Sequence, residues 1–333
     1  MNYNFAPSIA SNNFMENSQQ KLAFSSDCDF QQWRSEVDSK LRKLLGMDNF
    51  DKVDLNIQVE YKKEYDDYYE TRFVFTSEYK VDVPAHLLIP KKGKGPFPVM
   101  ICLQGHSSGM HISLGRPKYE GDEESIAGDR DFGIQAVKEG YAALVLEQRA
   151  FGERKNSRSE IPNCVQPSML ELLMGRCMIA TRSWDISRAI DALSHFDNID
   201  FDKIGCMGNS GGGTITFFAT CLDERIKMAM PSCYFCTLKE SIGRIEHCVD
   251  NYIPGMLQWF DLPDLTCLIV PRPMLIVAGK TDGIFPLSGV ESAFKTTIEI
   301  YKKAGVEDKC KLFVGSGGHR FYKDAWKELE RLI

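Results

Sequence analysis

The chain has 333 residues, of which 43% are hydrophobic and 26% charged, with a formal net charge of -6. That is ordinary globular material, enough for one large α/β domain or two smaller ones. The acidic balance argues against nucleic acid or an anionic membrane as a partner, because both attract basic surfaces, and no run of eighteen apolar residues offers a membrane span.

Met1 to Gln20 is polar and Asn/Ser-rich, without the basic start and apolar run of a signal peptide. Residues 1 to about 28 read as a loosely ordered arm. The apolar spacing of Phe30, Trp33, Val37, Leu41 and Leu44 then predicts a helix that stops at Gly46 and packs on the flank of a main domain. Residues 53 to 90 alternate in strand fashion, with Val53, Leu55, Ile57 and Val59 on one face and a further strand from Val81 to Ile89. Strands without helices between them predict an antiparallel start to the sheet.

After the turn-like Lys91 to Gly95 the pattern changes. Pro98 to Leu103 is a continuous apolar run, as in a strand buried on both faces, and it ends in Gln104-Gly105-His106. A helix at about 131 to 139 leads to a second buried strand, Ala142 to Leu146. A polar excursion follows at about 151 to 166. A helical region runs from Met169 and includes Trp184, Ile186, Ile190 and Leu193 on one face. Ile204 to Gly208 is a strand, and Thr214 to Thr220 reads as the helix after it. A short strand, Met228 to Met230, precedes a long excursion to about Pro271. Met274 to Ala278 and Leu312 to Val314 are strands, Val290 to Tyr301 is a helix, and Phe321 to Leu332 closes the chain as another. Strand and helix alternating from about residue 98 predict a mostly parallel sheet covered on both faces.

The ends of these strands carry the chemistry. Gly208-Asn209-Ser210-Gly211-Gly212 lies between a strand and a helix. Glycines two residues either side of a serine suit a turn too tight for side chains, and such a turn exposes the serine Oγ near a helix N-terminus. In a parallel sheet, functional groups gather at the C-terminal strand ends. There the chain supplies Asp282, in Gly279 to Pro286, and His319, in Gly315-Ser316-Gly317-Gly318-His319. A serine hydroxyl needs an imidazole to take its proton, and the imidazole needs a carboxylate to fix its tautomer. The reading is a triad of Ser210 as nucleophile, His319 as base and Asp282 as its orienting partner. The oxyanion is expected to meet two backbone N–H groups, those of Gly211 and of His106 after Gly105.

From about residue 80 onward the chain resembles the alpha/beta-hydrolase superfamily, in particular its dienelactone-hydrolase-like and acetylxylan-esterase-like branch. The residues that carry this are Gln104-Gly105-His106, Gln148 to Gly152, Gly208 to Gly212, Pro271 to Leu275, Gly279 to Pro286 and Gly318-His319. The resemblance implies a three-layer fold with an eight-stranded, mostly parallel sheet, and hydrolysis through an acyl-enzyme. Gln104 stands where many relatives have His before Gly. Ser210 stands where dienelactone hydrolases have Cys, which points to ester hydrolysis instead of that reaction.

Several residues remain open between roles. Gln104, Arg149, Tyr252 and Trp259 either line a pocket or organise loops. For Arg149 the loop role is favoured, through a carboxylate such as Glu153 or one near Asp282. His247 reads as a packed or surface histidine. The eleven cysteines, several in apolar runs (Cys102, Cys206, Cys267), read as reduced core thiols of a cytoplasmic protein, and the C-x-x-C pair Cys233 and Cys236 lacks the context of a metal or redox site. The expectation is thus an N-terminal arm and helix over residues 1–50 and a catalytic domain over 51–333. It acts on a small-molecule ester without cofactor or metal, and a homo-oligomer is compatible with it. A peptidase or amidase with the same triad, or a non-catalytic binding protein on the same fold, stays open. Two loops, about 148 to 166 and 232 to 270, are expected to select the substrate.

Overall fold

The computed structural model describes residues 5–156 and 164–333. Among the described residues nine strands form one sheet, in the order β1-β2-β3-β5-β4-β6-β7-β8-β9. β1 (Gln58–Glu64), β2 (Tyr68–Glu78) and β3 (Val81–Pro90) run antiparallel, and β3 also pairs antiparallel with β5 (Ala142–Leu146). From β5 onward the pairs are parallel, through β4 (Phe97–Leu103), β6 (Ile199–Asn209), β7 (Ile226–Ser232), β8 (Met274–Gly279) and β9 (Cys310–Gly315). The sheet has one strand more than the eight expected. The addition is β1, an edge strand whose residues are all exposed.

Nine α-helices are described: α1 (Pro7–Asn17), α2 (Phe30–Leu45), α3 (Asp122–Ser125), α4 (Phe132–Lys138), α5 (Val165–Leu173), α6 (Met178–Leu193), α7 (Gly211–Leu222), α8 (Leu287–Lys303) and α9 (Ala325–Glu330). The period-2 pattern of β4 decides the layering. Val99, Ile101 and Leu103 belong to the larger core, which holds buried residues of α2, α6, α7 and α8. Met100 and Cys102 belong to the second core, with Phe132 of α4 and Trp326 of α9. Alternate side chains of one buried strand thus fill opposite faces, and the sheet is the middle of three layers.

α2 forms as its spacing requires. Asp29 caps it by accepting from the N–H groups of Gln31 and Gln32, both at 3.1 Å, and Trp33, Val37, Leu41 and Leu45 are its buried stripe. Gly46 ends it at φ 70°, against the carbonyl of Gly175, where a Cβ would sit 2.1 Å from the oxygen.

Four expectations are corrected. Within the arm, residues 7–17 form α1, none of whose residues is buried. The following segment is tied down, Leu22 N–H donating to Trp259 O at 2.7 Å and Phe24 N–H to the Asp264 carboxylate at 2.8 Å. Residues 53–57 are not a strand. They run beside the sheet, held by Thr76 N–H to Leu55 O at 2.7 Å, because pairing with β2 begins only at Gln58. The helical region after Met169 is two helices broken at Met174 to Cys177, where Gly175 has φ 79°. The closing helix spans only Ala325–Glu330. Residues 1–4 of the arm and 157–163 of the polar excursion lie outside the described residues.

Candidate active site

β6 ends at Asn209, and α7 begins at Gly211. The one residue between them, Ser210, takes φ 57° and ψ -122°, a conformation that side chains other than glycine avoid. The turn is closed around it. Ser210 N–H donates to Ser232 O at 2.9 Å and Thr214 N–H to Ser210 O at 2.9 Å. Gly208 and Gly212 are required by contact, not by dihedral angle. A Cβ on Gly212 would sit 2.1 Å from Leu103 O, and one on Gly208 would sit 2.6 Å from both Leu103 O and the Gly212 carbonyl carbon. The side chain of Asn209 is buried and accepts from Ser232 Oγ at 2.8 Å, which ties the turn to β7.

Asp282 and His319 follow β8 and β9, which lie beyond β7 on the same side of β6. His319 Nδ1 lies 2.8 Å from Asp282 Oδ2. The other carboxylate oxygen of Asp282 accepts the N–H groups of Ile284 at 2.8 Å and Phe285 at 3.1 Å. Burial works to raise the Asp282 carboxyl, but the His319 hydrogen bond and these N–H groups outweigh it and hold the group below its ordinary range. The imidazole stacks on Phe285, ring centroids 5.8 Å apart, and stays partly exposed. The two loops are locked together: Thr281 N–H donates to Gly317 O at 2.9 Å, and a Cβ on Gly279 would sit 2.0 Å from Gly318 O. Cys233 joins them to the elbow. Its N–H reaches Val277 O at 2.8 Å and its Sγ reaches Arg320 O at 3.1 Å.

The loop after β4 lies directly against the elbow. A Cβ on Gly105 would meet Asn209 O at 2.6 Å, Ser210 Cβ at 2.9 Å and Gly211 N at 3.0 Å. Among the described residues no backbone carbonyl accepts from His106 N–H or Gly211 N–H. As the first residue of α7, Gly211 has no partner within its helix, so a donor remains at the positive end of the helix dipole. Gln104 is buried and organises the loop. Its amide donates to Ser113 Oγ and Arg130 O, both at 2.7 Å, and its Oε1 accepts from Arg130 at 2.9 and 3.1 Å.

Arg149 is also a loop organiser, with partners other than those expected. It binds Asp185 bidentately, at 2.9 and 2.8 Å, and also Glu78, while its carbonyl accepts two bonds from Arg182. Glu153 pairs instead with Arg72, and Asp282 is not involved. Trp259 faces the N-terminal region, its ring under Lys40 of α2, Nζ 3.5 Å from the centroid, and Lys21 of the arm, at 4.6 Å. Tyr252 lines an apolar cavity of about 280 Å³ with Phe14, Met15, Phe218 and Tyr234. That cavity lies under α1, and none of the three triad candidates lines it. A smaller cavity of about 180 Å³ borders the loop after β4 and is lined by His106, Ser108, Phe151, Gly152 and Cys164, among others; none of the three triad candidates lines it. His247 is partly buried against Phe285, as expected of a packed histidine. All eleven cysteines are free thiols, Cys233 and Cys236 included, and nine of them are buried.

The surroundings of the His106 side chain were not legible in the sequence. Its Nε2 lies 3.2 Å from Asp250 and 3.5 Å from Cys164 Sγ, and Asp250 in turn binds Arg182 at 2.8 Å. These residues lie far apart in the chain, and no short motif joins them.

The sequence matches the model of the Abhydrolase family over residues 8–299. It is 26% identical over 242 residues to the Bacillus subtilis (strain 168) protein YtaP, which bears the name of a hydrolase, covering 71% of this chain and 77% of that one. In structure it is similar to a Bacteroides fragilis NCTC 9343 protein described as an acetyl xylan esterase, with TM-score 0.77 and 18% identity over 94% of this chain and 83% of that one. It is also similar to a glucuronoyl esterase from Solibacter usitatus, with TM-score 0.68 and 15% identity over 95% and 98% of the two chains. Sheet order, elbow and family match agree, and the chain belongs to the Abhydrolase family, within the alpha/beta-hydrolase superfamily.

Proposed function

We propose that the protein is a serine hydrolase of carboxylic esters, acting through an acyl-enzyme on Ser210. One observation carries this reading. A serine held at φ 57° between strand and helix shares a sheet edge with an Asp282–His319 pair bonded at 2.8 Å. Asp282 accepts from Nδ1 of His319, leaving Nε2 as the proton acceptor. As Ser210 Oγ attacks the ester carbonyl, His319 takes its proton. The negative charge that develops on the carbonyl oxygen falls to the N–H groups of Gly211 and His106. His319 then returns the proton to the departing alcohol. Water, activated by the same imidazole, attacks the acyl-serine, and the acid leaves.

The substrate is a short acyl ester, of the acetyl type, on a sugar or another alcohol. The acetyl xylan esterase and glucuronoyl esterase named above share this fold and agree with an ester substrate.

The test compares p-nitrophenyl acetate with p-nitrophenyl butyrate, octanoate and an aminoacyl p-nitroanilide, for wild type and Ser210→Ala. The expected result is turnover of the acetate, a fall in kcat/KM with acyl length, little action on the anilide, and no turnover by the variant. Preference for the anilide would favour a peptidase. Equal turnover by both proteins would remove Ser210 from the mechanism.

A further inference from the structure

We propose that His106, Cys164, Cys248 and Asp250 form a tetrahedral binding site for a divalent metal ion of the zinc class, one that clamps the oxyanion loop. This departs from the sequence-based expectation of a protein without metal, and it stands independently of the ester reading.

The four residues come from separate parts of the fold. His106 lies on the loop after β4, Cys164 just before α5, and Cys248 and Asp250 in the excursion after β7. One ligand atom from each lies within 4.8 Å of every other. Two of the separations within this cluster match those a zinc ion sets. Bonds of 2.0–2.3 Å to N, O and S in tetrahedral geometry give edges of about 3.3 Å for N···O and about 3.5 Å for N···S. His106 Nε2 lies 3.2 Å from Asp250 Oδ2 and 3.5 Å from Cys164 Sγ. Two thiolates, an imidazole and a carboxylate are a donor set for zinc and not for magnesium or calcium, which take oxygen ligands.

Charge and outer contacts agree. With both thiols ionised, the two cysteines and Asp250 carry three negative charges. A divalent ion and the guanidinium of Arg182, 2.8 Å from Asp250, carry three positive ones. Asp250 is fully buried and already oriented, one oxygen accepting from Arg182 and the other from Asn251 Nδ2 at 2.9 Å. Ligating carboxylates are held in this way by the groups behind them. His106 is the exposed member, its side chain 38% accessible, and it gives an ion a route in.

The consequence reaches the elbow. Four protein ligands leave no open position, so the ion holds structure and does not polarise substrate. Coordination through Nε2 leaves the ring proton on Nδ1. That atom lies 3.5 Å from where a Cβ on Gly211 would be. The ion would therefore fix both the backbone of His106 and a further N–H beside the oxyanion donor of Gly211.

The experiment uses the full chain, reduced, stripped with a chelator and titrated with cobalt(II) chloride. One equivalent of cobalt should give the intense visible bands of tetrahedral coordination and a thiolate charge-transfer band in the near ultraviolet, and zinc should bleach both. Cys164→Ser and Cys248→Ser should each lose about half of the charge-transfer intensity, and the double variant all of it. Asp250→Asn guards against a double variant that fails to fold, and should weaken binding at least about 10-fold. Cys233→Ser should bind as wild type, since Cys233 belongs to the other donor cluster, with Asp282 and His319. The proposal is overturned if reduced wild type shows no stoichiometric tetrahedral cobalt spectrum, or if the spectrum survives in the Cys164/Cys248 double variant. It is equally overturned if Cys233→Ser abolishes the spectrum, or if the two thiols form a disulfide and take up no cobalt once reduced.

Discussion

Gly105→Ala tests the proposed oxyanion loop without replacing a reacting group. No positive φ constrains Gly105, so alanine brings no backbone strain, only a collision. Its Cβ would sit 2.6 Å from Asn209 O, 2.9 Å from Ser210 Cβ and 3.0 Å from Gly211 N. All three belong to the elbow, which the Leu103, Gly212 and Ser232 contacts hold rigid, so the His106 loop is the part that yields. Restoring an ordinary contact near 3.4 Å requires a retreat of roughly 0.8 Å. A displacement near 1 Å costs about 100-fold in rate, and loss of one oxyanion donor costs about 100- to 1,000-fold. We expect kcat on p-nitrophenyl acetate to fall about 100-fold, equivalent to about 2.7 kcal/mol of transition-state stabilisation, with KM changed far less. Near-ultraviolet circular dichroism checks that the variant is folded at the assay temperature. Gly128→Ala is the control, since a Cβ there meets nothing within 4 Å. A folded Gly105→Ala enzyme with wild-type kcat would refute the assignment of His106 N–H to the oxyanion.

Asp282→Asn should lower kcat by about 1,000- to 10,000-fold in a folded protein, by presenting the wrong tautomer of His319, as initial rates would show. Because the folded-state pKa of Asp282 lies below its unfolded value, its ionised form contributes stability at neutral pH. That contribution fades as pH falls from about 4 through the folded value. Urea unfolding of wild type and Asp282→Asn at pH 7 and pH 3 should therefore show the difference between them shrinking in acid. Arg149→Met should destabilise the fold by about 3 kcal/mol, the lower end for breaking a buried pair, since Arg154 still faces Asp185 at 2.7 Å. Denaturant midpoints measure this, and an unchanged midpoint would contradict the loop-organising role. Trp33→Ala empties a buried site of α2 and should cost about 3–5 kcal/mol by the same assay.

The buried strands, the elbow and the Asp282 and His319 loops were legible because each depends on local signals. Pro98 to Leu103 is apolar throughout since both its faces are covered, and Gly208 and Gly212 mark contacts that no side chain survives. Gly46 stopped α2 where its spacing ended. Residues 53–57 misled because their alternation continues into β1, although pairing starts only at Gln58. α1 was missed because none of its residues is fully buried, so it has no strong apolar stripe to read. The ion-pair partners of Arg149, Asp185 and Glu78, lie on other elements, and nothing local distinguishes them from Glu153. The cluster around His106 is illegible for the same reason. Residues 106, 164, 248 and 250 meet only once the sheet edge is assembled.

The central claim is that Ser210 is an activated nucleophile. The direct measurement is labelling of the folded protein with a fluorophosphonate, with the adduct located by peptide mass spectrometry. One adduct per chain is expected, on Ser210, formed rapidly at neutral pH, slowed by at least about 100-fold in Asp282→Asn and absent in Ser210→Ala. Labelling at another residue, or an unlabelled Ser210 in folded wild type, would contradict it.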